Sequence, residues 1–449
     1  MSGAFAGRRF LVIGLGVAGG AVARVLAEEG ARVRVSEARA DVPGADELAA
    51  LGVDVRLGGH APEHLADVEV VVPSPGVPEH APVLRWAAER GLPIWSELDV
   101  GAHLCRVPYV AITGTNGKST TTELVASMLA AAGLDAVACG NIGHPFAVAA
   151  REGHDALAVE ASSFQLRFHH ALRPRVSVLL NLAPDHLDWH GSVEAYAAAK
   201  ARVFELQGSG DVHVGNAEDP ASAALSRRAP CRVAWFRSAR PERGEVGVVD
   251  GAVLARVDGE EVELGRPPQA SAGFLADCAA AAAAALAFGL SPSAVREGIE
   301  RMRPLPHRGE EVARVGGVRF VDDSKATNVH AALHAIRGKR DVVLIAGGMA
   351  KGVDLTPLAG AAASLAGVVA IGESAPELVA VFEGRVPVRV AGSIEEAVRT
   401  AYAMAPGKGT VLLAPACASW DMFRDYAERG DRFAAAARAL REEVAGVRP

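Results

Sequence analysis

Short apolar runs alternate along the chain with longer stretches of helical periodicity. Near the N-terminus the runs RRFLVIGLG, ARVRVSEA and VEVVVPSPGV are separated by stretches such as AVARVLAEEG, where apolar residues recur every three or four positions. The short runs are typical of buried strands and the longer stretches of amphipathic helices. Strands that alternate with helices build a parallel sheet with helices on its faces, so the sequence predicts an α/β protein.

This alternation restarts twice, which predicts three domains. A second series opens at VPYVAITGTNGKST and ends in an alanine-rich helix over residues 279–290. A third follows RMRPLPHRGEE, whose prolines and charges suit a linker. We expect domains over residues 1–98, 99–304 and 305–449, each a mainly parallel sheet flanked by helices. The first and last domains would be Rossmann-like, and the middle one would resemble a phosphate-loop ATPase.

Composition narrows the class of protein. The 449 residues carry a formal net charge of −7, which gives no general attraction to nucleic acid or to anionic lipid, so we expect neither as a partner. The five cysteines form no C-x-x-C pair, which argues against a disulfide framework or a zinc ribbon. The N-terminal apolar run leads directly into a glycine motif and not into the small-residue cleavage site of a secretory signal peptide, so we predict no signal peptide. The cysteines therefore favour a cytoplasmic location. We further expect a monomer that acts on small molecules.

The first glycine-rich loop satisfies the pattern G-x-G-x-x-G. Gly14, Gly16 and Gly19 follow a predicted strand and precede a predicted helix, and Glu37 lies about 20 residues further on. Such a loop lets the backbone approach a diphosphate at a helix N-terminus. By itself it is compatible with an NAD-dependent dehydrogenase, with a UDP-sugar site, or with a turn that needs glycine only for packing.

The second loop, AITGTNGKSTTTEL, matches a phosphate loop except that Ile112 stands at the position of its first glycine. Gly114 and Gly117 still allow backbone N–H groups to converge on phosphate oxygens, Lys118 supplies a positive charge, and Ser119 can bind magnesium. We expect this loop to bind a nucleoside triphosphate. A site for a nucleoside triphosphate has no role in an NAD-dependent dehydrogenase, so this loop argues against that class of enzyme.

Further candidate residues follow other predicted strands. Glu160 ends the run DALAVE, and His186 lies in PDHLDWH after another run, so both could bind magnesium beside Ser119. In the third domain, loops after strands carry groups that suit a small acidic ligand: Lys325, Thr327, Lys351 and Ser419. His169, His170, His213 and His330 belong to no such group and are expected to have ordinary structural roles.

These motifs resemble those of the Mur ligases along the whole chain, and within that family those of the branch that adds glutamate. The shared stretches are GLGVAG, PSPGVP, TGTNGKST, GNIG, EASSFQL, PDHLD, AAAKARVF, LPHR, DDSKATN and PACASWDMF. The family uses the shortened T-G-T-N-G-K form of the phosphate loop, so Ile112 is not a defect there. Folylpolyglutamate synthetases, which share that form, lack the UDP-binding domain that residues 1–98 would supply.

The resemblance implies roles for particular residues. The UDP substrate would contact Gly14, Gly16, Val17, Ala18, Glu37, Arg39, Ser74, Gly76 and Asn141. ATP would contact Gly114, Thr115, Asn116, Gly117, Lys118, Ser119, Thr120, Arg308 and Asp323. Magnesium would be bound by Ser119, Glu160, His186 and Lys200, the last as a carbamate. D-glutamate would contact Thr327, Lys351, Ser419 and Tyr426. The catalytic set would be Lys118, Glu160, His186, Lys200, His307 and Lys325.

The resemblance also implies a reaction. ATP would activate the carboxylate of UDP-N-acetylmuramoyl-L-alanine as an acyl phosphate, and D-glutamate would attack it to form an amide of a peptidoglycan precursor. L-glutamate as the substrate stays open, as does a nucleotide-binding protein without turnover.

One segment departs from the family pattern. The family has G-x-H-N-x-x-N, which contacts adenine, where this chain has the stretch Gly273 to Ala279, with Asp277 as the available substitute. Ala350 likewise stands where an aspartate is common.

Overall fold

Mainly parallel sheets flanked by helices form the framework of the protein. The computed structural model describes residues 3–257, 259–267, 271–303 and 305–446. Within these residues the strands form sheets of four, nine and six strands, in chain order. This confirms the predicted α/β class with three domains. By compactness the chain divides into two units, the first with residues 1–182, 189–270 and 274–302 and the second with residues 183–188, 271–273 and 303–449, insofar as they are described.

The first sheet has the order β3-β2-β1-β4, and its described strand pairs are parallel. Its strands are β1 (Arg9–Ile13), β2 (Arg32–Ser36), β3 (Asp54–Arg56) and β4 (Val70–Pro73). The helices of this region are α1 (Val17–Glu28), α2 (Ala45–Ala50), α3 (Pro82–Glu89) and α4 (Glu97–Leu104). The carboxyl ends of β1 and β4 are neighbours, which brings the glycine loop after β1 beside the loop after β4.

The second sheet has the order β13-β12-β11-β10-β9-β8-β5-β7-β6. Its strands are β5 (Tyr109–Thr113), β6 (Ala136–Gly140), β7 (Ala156–Glu160), β8 (Val176–Leu179), β9 (Val212–Asn216), β10 (Arg232–Phe236), β11 (Glu245–Val249), β12 (Ala252–Val257) and β13 (Glu260–Gly265). Its helices are α5 (Lys118–Ala131), α6 (Phe146–Ala149), α7 (Ser163–Phe168), α8 (Leu187–His190), α9 (Val193–Ala201), α10 (Pro220–Ser226), α11 (Ala272–Phe288) and α12 (Pro292–Arg301). The strands β11, β12 and β13 form an antiparallel meander at one edge of the sheet, which was not predicted.

The third sheet has the order β14-β15-β19-β16-β17-β18, in which only the described pair β14–β15 is antiparallel. Its strands are β14 (Glu310–Val315), β15 (Val318–Asp322), β16 (Val342–Gly347), β17 (Leu365–Ile371), β18 (Val388–Val390) and β19 (Thr410–Leu413). Its helices are α13 (Val329–Ile336), α14 (Ala375–Phe382), α15 (Ile394–Met404) and α16 (Tyr426–Gly446). The strands β15, β19 and β16 are neighbours, so the loops that follow them meet at one edge.

Side-chain caps explain where several helices begin. Ser162, Asp219, Ser291, Asn328 and Ser393 each accept a hydrogen bond from a backbone N–H in the first turn of the helix that follows. Such caps satisfy N–H groups that have no partner within the helix. They fix the first turns of α7, α10, α12, α13 and α15 to the loops that precede them.

The alanine-rich stretch lies in α11 as far as Phe288, two residues short of the predicted end, and residues 279–285 are all buried. The prediction of a buried helix is therefore confirmed. In the described residues, no helix is both long and apolar enough to cross a bilayer. The five cysteines are free thiols. The predicted domain boundaries stay predictions; the first falls within α4, and the second falls beside Pro304, which lies outside the described residues.

Candidate active site

The glycine loop after β1 is a close-packed turn. Gly14 has a φ of +84°, and a Cβ at Gly19 would lie 2.0 Å from the carbonyl oxygen of Gly14. The Ser74 hydroxyl donates to that same oxygen at 2.8 Å and so joins the loop to the end of β4. The backbone conformation favours glycine at position 14, and the lack of space for a Cβ requires it at position 19. Gly16 and Val17, at the start of α1, are exposed and accessible to a ligand, and Ala18 is half-buried.

Glu37 at the end of β2 supports this loop. Its carboxylate accepts hydrogen bonds from the backbone N–H of Leu15 at 2.6 Å and from the Arg39 guanidinium at 3.0 Å. The bond from Arg39 is the main reason why the pKa of Glu37 is lowered to about 2. Arg39 also donates to the Leu15 carbonyl at 3.2 Å. Glu37 and Arg39 thus fix the loop that was predicted to receive the UDP group, while Gly76 is exposed after β4.

The phosphate loop joins β5 to α5 and has unusual backbone angles at its glycines. Gly114 has a φ of +156°, and Gly117, directly before α5, has a φ of +86°. Asn181, which follows β8, accepts from the Asn116 N–H and donates to the Asn116 carbonyl, while its own carbonyl accepts from the Thr115 N–H. These contacts set the shape of the loop. Ser119 and Thr120 are buried in the first turn of α5.

Two lysines donate to one carbonyl of this loop. The Lys118 ammonium lies 2.9 Å from the Gly114 oxygen and 3.0 Å from that of Thr115. The Lys200 ammonium, from α9, lies 2.7 Å from the same Gly114 oxygen and is only 1% exposed. Tyr196, one turn before Lys200, donates to the Thr115 hydroxyl at 3.0 Å. The structure therefore brings together two predicted catalytic lysines that are distant in sequence.

Glu160 ends β7 next to the phosphate loop, as predicted, because β7 pairs with β5. One carboxylate oxygen accepts from the Asn141 side chain at 2.8 Å, and the other is buried without a hydrogen-bond partner. A buried carboxylate oxygen usually has a partner, so this atom is a candidate for a cation that balances its charge. The pKa of Glu123, in α5, is raised first by desolvation and then by the negative charge of Glu160.

These donors fit magnesium. A hydroxyl at Ser119 and a carboxylate at Glu160 are oxygen ligands of the kind that Mg²⁺ prefers. In the described residues, no group of three or more His, Cys, Asp or Glu side chains could hold a metal. His186 has a φ of +53° and lies in the segment 183–188, which belongs to the second compact unit.

The departure from the family pattern lies directly at the phosphate loop. A Cβ at Gly117 would lie 2.1 Å from a carboxylate oxygen of Asp277 in α11. The φ of +86° favours glycine at position 117, and a larger residue there would also displace the Asp277 carboxylate. The chain has a carboxylate at this point of α11, packed against the start of α5.

In the second unit, the half-buried His307 pairs with the buried Asp322. The Nδ1 atom of His307 lies 2.7 Å from a carboxylate oxygen of Asp322, and His307 has a φ of +61°. Asp323 follows β15, and desolvation raises its pKa to about 6 against the opposing charge of Arg308. Burial therefore favours the neutral form of this carboxyl group more than in a solvent-exposed aspartate.

Three of the residues predicted to bind the amino acid lie on the loops after β15, β16 and β19, and the fourth, Tyr426, begins α16. The Lys325 ammonium lies 3.7 Å from the centre of the Tyr426 ring, a cation–π contact. Thr327 is half-buried on the same loop, and Ser419 is buried on the loop after β19. The two loops are joined because the Ala416 N–H donates to the Ala326 carbonyl at 2.9 Å.

Lys351 has a carboxylate partner that the sequence did not indicate. Its ammonium lies 2.5 Å from Asp185, whose other oxygen accepts from the Asn328 side chain at 3.1 Å. All three residues are buried. Lys351 has a φ of +56°, so its backbone is held in a conformation that few side chains adopt. An incoming substrate carboxylate would have to compete with Asp185 for this cation.

Sequence reasoning missed the residues that support the site. Asn181 and Tyr196 shape the phosphate loop, Asp185 and Asn328 surround Lys351, and Arg429 contacts two loops of the third sheet. Asn181 could have been found, since it is a polar residue directly after a buried strand. The others have no signal in the sequence beyond the motifs in which they lie.

Comparison with known families identifies the three regions. The N-terminal domain model described as Mur ligase MurD-like matches residues 8–96. The Mur ligase middle domain matches residues 112–247, and the Mur ligase glutamate ligase domain matches residues 307–417. A dehydrogenase, which the first loop alone allowed, is not favoured by these matches.

Curated relatives match nearly the whole chain. The UDP-N-acetylmuramoylalanine–D-glutamate ligase of Frankia casuarinae is 46% identical over 97% of this chain and 95% of its own. The enzyme of the same name from Streptomyces avermitilis is 43% identical over 97% of this chain and 98% of its own.

Solved structures share the fold at low identity. A pseudomurein peptide ligase type C from Methanothermus fervidus has a TM-score of 0.62 and 21% identity, over 97% of this chain and all of that one. The MurF ligase from Thermotoga maritima, solved in complex with ADP, has a TM-score of 0.60 and 17% identity, over 99% of this chain and 97% of that one. With family models over all three regions and relatives of more than 40% identity, the chain belongs to the Mur ligase family.

Proposed function

We propose that the protein is an ATP-dependent ligase that joins D-glutamate to UDP-N-acetylmuramoyl-L-alanine in the synthesis of peptidoglycan precursors. The observation that carries the proposal is the buried, unpaired carboxylate oxygen of Glu160 beside the phosphate loop. The names of the curated relatives support the choice of substrates.

The proposed reaction has two steps that balance without a further reactant. An oxygen of the substrate carboxylate attacks the γ-phosphorus of ATP, ADP leaves, and an acyl phosphate forms. The amine of D-glutamate then attacks the acyl carbon, phosphate leaves, and one proton is released as the amide forms. Both steps build negative charge, which positioned cations stabilise.

The residues around the phosphate loop would each have a separate role in these steps. Lys118 would leave the Gly114 carbonyl for the phosphates of ATP, while the N–H groups of the loop and of the first turn of α5 would bind phosphate oxygens. Magnesium, held by Ser119, Glu160, His186 and carbamylated Lys200, would neutralise phosphate charge. Asn141 would orient Glu160 through the bond at 2.8 Å.

The other substrates would be bound by the first and third sheets. The loop of Gly14, with Glu37 and Ser74, would receive the UDP group. Thr327, Lys351, Ser419 and Tyr426 would receive D-glutamate, with His307 and Lys325 close by, and Arg308 and Asp323 would contact ATP. The predictions of a cytoplasmic location and of a monomer stay predictions, and free cysteines support the first.

The test is release of phosphate from ATP in the presence of UDP-N-acetylmuramoyl-L-alanine, with D-glutamate, L-glutamate or no amino acid. We expect release that D-glutamate alone stimulates. Stimulation by L-glutamate alone would change the substrate, and release that no amino acid stimulates would contradict the ligase. Absence of any release would point to Asp277 at the phosphate loop and to a protein that binds without turnover.

A further inference from the structure

Arg429 in α16 is fully buried, although it is one of the largest and most polar side chains. Its Nε atom donates to the Ser324 hydroxyl at 3.0 Å, and Nη2 donates to the Ser324 carbonyl at 2.8 Å. Its Nη1 atom donates to the Cys417 carbonyl at 3.2 Å. One guanidinium group therefore contacts both the loop over residues 323–328 and the loop over residues 415–419.

The first of these loops is tied to the site through Ser324. The Ser324 hydroxyl, which accepts from Arg429, donates to the Tyr426 carbonyl at 2.7 Å, and the Ser324 N–H donates to Asp322 at 2.9 Å. The next residue, Lys325, places its ammonium over the Tyr426 ring. A shift of Ser324 would therefore move Lys325 relative to Tyr426.

The second loop needs support from outside. Ala416 has a φ of +60°, a conformation that is unfavourable for alanine and persists only where the surroundings impose it. Its N–H is held by the Ala326 carbonyl, and the carbonyl of the next residue, Cys417, is held by Arg429. Ser419 follows two residues later. Arg429 and Ala326 thus fix the strained peptide from both sides.

The bonding of Arg429 is costly for the fold. In the part of the chain that is described, no carboxylate lies within ion-pair distance of its guanidinium, and its bonds end on carbonyl and hydroxyl oxygens. Burial lowers the pKa of Arg429 to about 10, although Cys417, Asp421 and Asp322 act in the opposite direction. Replacement of a buried charged group by an apolar side chain is often neutral or stabilising. The contribution of Arg429 to the protein therefore lies in the order that it gives to the two loops.

We propose that Arg429 is a positioning residue that fixes the loops 323–328 and 415–419 relative to each other and so prepares Lys325, Thr327 and Ser419 for the amino acid. The nature of that ligand rests on the proposed function. Arg429 itself would not contact the substrate.

The kinetic test compares Arg429→Met, which keeps the bulk and removes the donors, with the wild type. The matched control is Arg432→Met, since Arg432 lies in the same helix and forms a half-exposed pair with Glu395. We expect the KM for D-glutamate to rise about 10-fold in Arg429→Met, as for loss of a charged hydrogen-bond donor. The KM for the UDP substrate should stay close to that of the wild type and of Arg432→Met, because its predicted residues lie outside both loops. An unchanged KM for D-glutamate, or an equal rise in the KM for the UDP substrate, would overturn the proposal.

A second measurement does not depend on activity. Hydrogen exchange should become about tenfold faster in Arg429→Met within the loops 323–328 and 415–419, and stay unchanged in β16. If Arg429→Met does not fold, Ser324→Ala serves instead, because it removes the hydroxyl acceptor and keeps the guanidinium. Unchanged exchange in both loops would refute the positioning role. A wild type without amino-acid-stimulated phosphate release would refute the proposed function, and the exchange result would still decide the role of Arg429.

Discussion

At the scale of single residues, the most informative position is Lys200. It is buried, donates to the phosphate loop, and has its ammonium 4.7 Å from the Tyr196 ring centre. As an ammonium it cannot bind a metal, because a protonated amine has no lone pair to donate. A carbamate would place two oxygens at the phosphate loop, where the ammonium now donates to the Gly114 carbonyl.

Lys200→Ala should therefore lose nearly all ligase activity, and short carboxylic acids such as acetate should restore part of it by occupying the space of the carbamate. The matched control is Lys408→Ala, since Lys408 lies in the second unit, is exposed and precedes β19. Initial rates of phosphate release with and without acetate give the answer. Full activity of Lys200→Ala would remove the carbamate from the mechanism.

At the scale of elements, α16 packs directly on the pair formed by His307 and Asp322. A Cβ at Gly430 would lie 2.2 Å from Nδ1 of His307 and 2.7 Å from a carboxylate oxygen of Asp322. Glycine at this point of a helix costs stability by itself, but it gives the helix the close approach that the pair requires.

Gly430→Ala should lower the free energy of unfolding by about 1–3 kcal/mol, although glycine to alanine in an open helix raises it. It should also lower activity, because His307 has to move. Gly446→Ala in the same helix is the control, since a Cβ there meets nothing within 4 Å. Thermal melting and initial rates of both variants test this, and a Gly430→Ala protein as stable as the wild type would contradict the packing described.

The elements themselves were largely predictable, and the exceptions have a physical cause. Buried strands such as β5, β7 and β16 read as continuous apolar runs, so Glu160 and Lys118 could be located at their ends. The sequence analysis did not predict the meander of β11 to β13. Asp250 and Gly251, between β11 and β12, form an Asp-Gly pair, which is typical of a two-residue hairpin turn. Both residues have the positive φ of a type I′ turn. The contacts of Asp185 with Lys351 and of Arg429 with Ser324 join residues more than a hundred positions apart. Periodicity and local motifs carry no information about such pairs.

At the scale of the whole molecule, buried histidines make stability depend on pH. His213 donates to or accepts from Ser177 at 2.7 Å and Ser226 at 2.9 Å, and its burial lowers its pKa to about 3. The unfolded chain takes up a proton near pH 6.5 while the folded one does not, so stability falls as the pH drops from about 6.5 toward 3.

For His213 alone we expect a loss of about 2 kcal/mol between pH 7 and pH 5. Replacing it by glutamine, which can also bond to both serines, should remove that part of the dependence. His169, whose pKa is lowered to about 4 mainly by burial, acts in the same direction and remains in both proteins. The melting temperatures of wild type and His213→Gln at the two pH values give the comparison. An equal drop in both proteins would show that His213 does not contribute.

The Gly114 carbonyl, shared by Lys118 and Lys200, has a consequence for how the enzyme must be handled. With both side chains as ammonium groups, two like charges lie within 3 Å of one oxygen. A carbamate at Lys200 would reverse one of these charges and turn repulsion into attraction, and it can form only from dissolved carbon dioxide. The fraction of active molecules would then follow the bicarbonate content of the buffer, and degassed preparations would underestimate the activity of the protein.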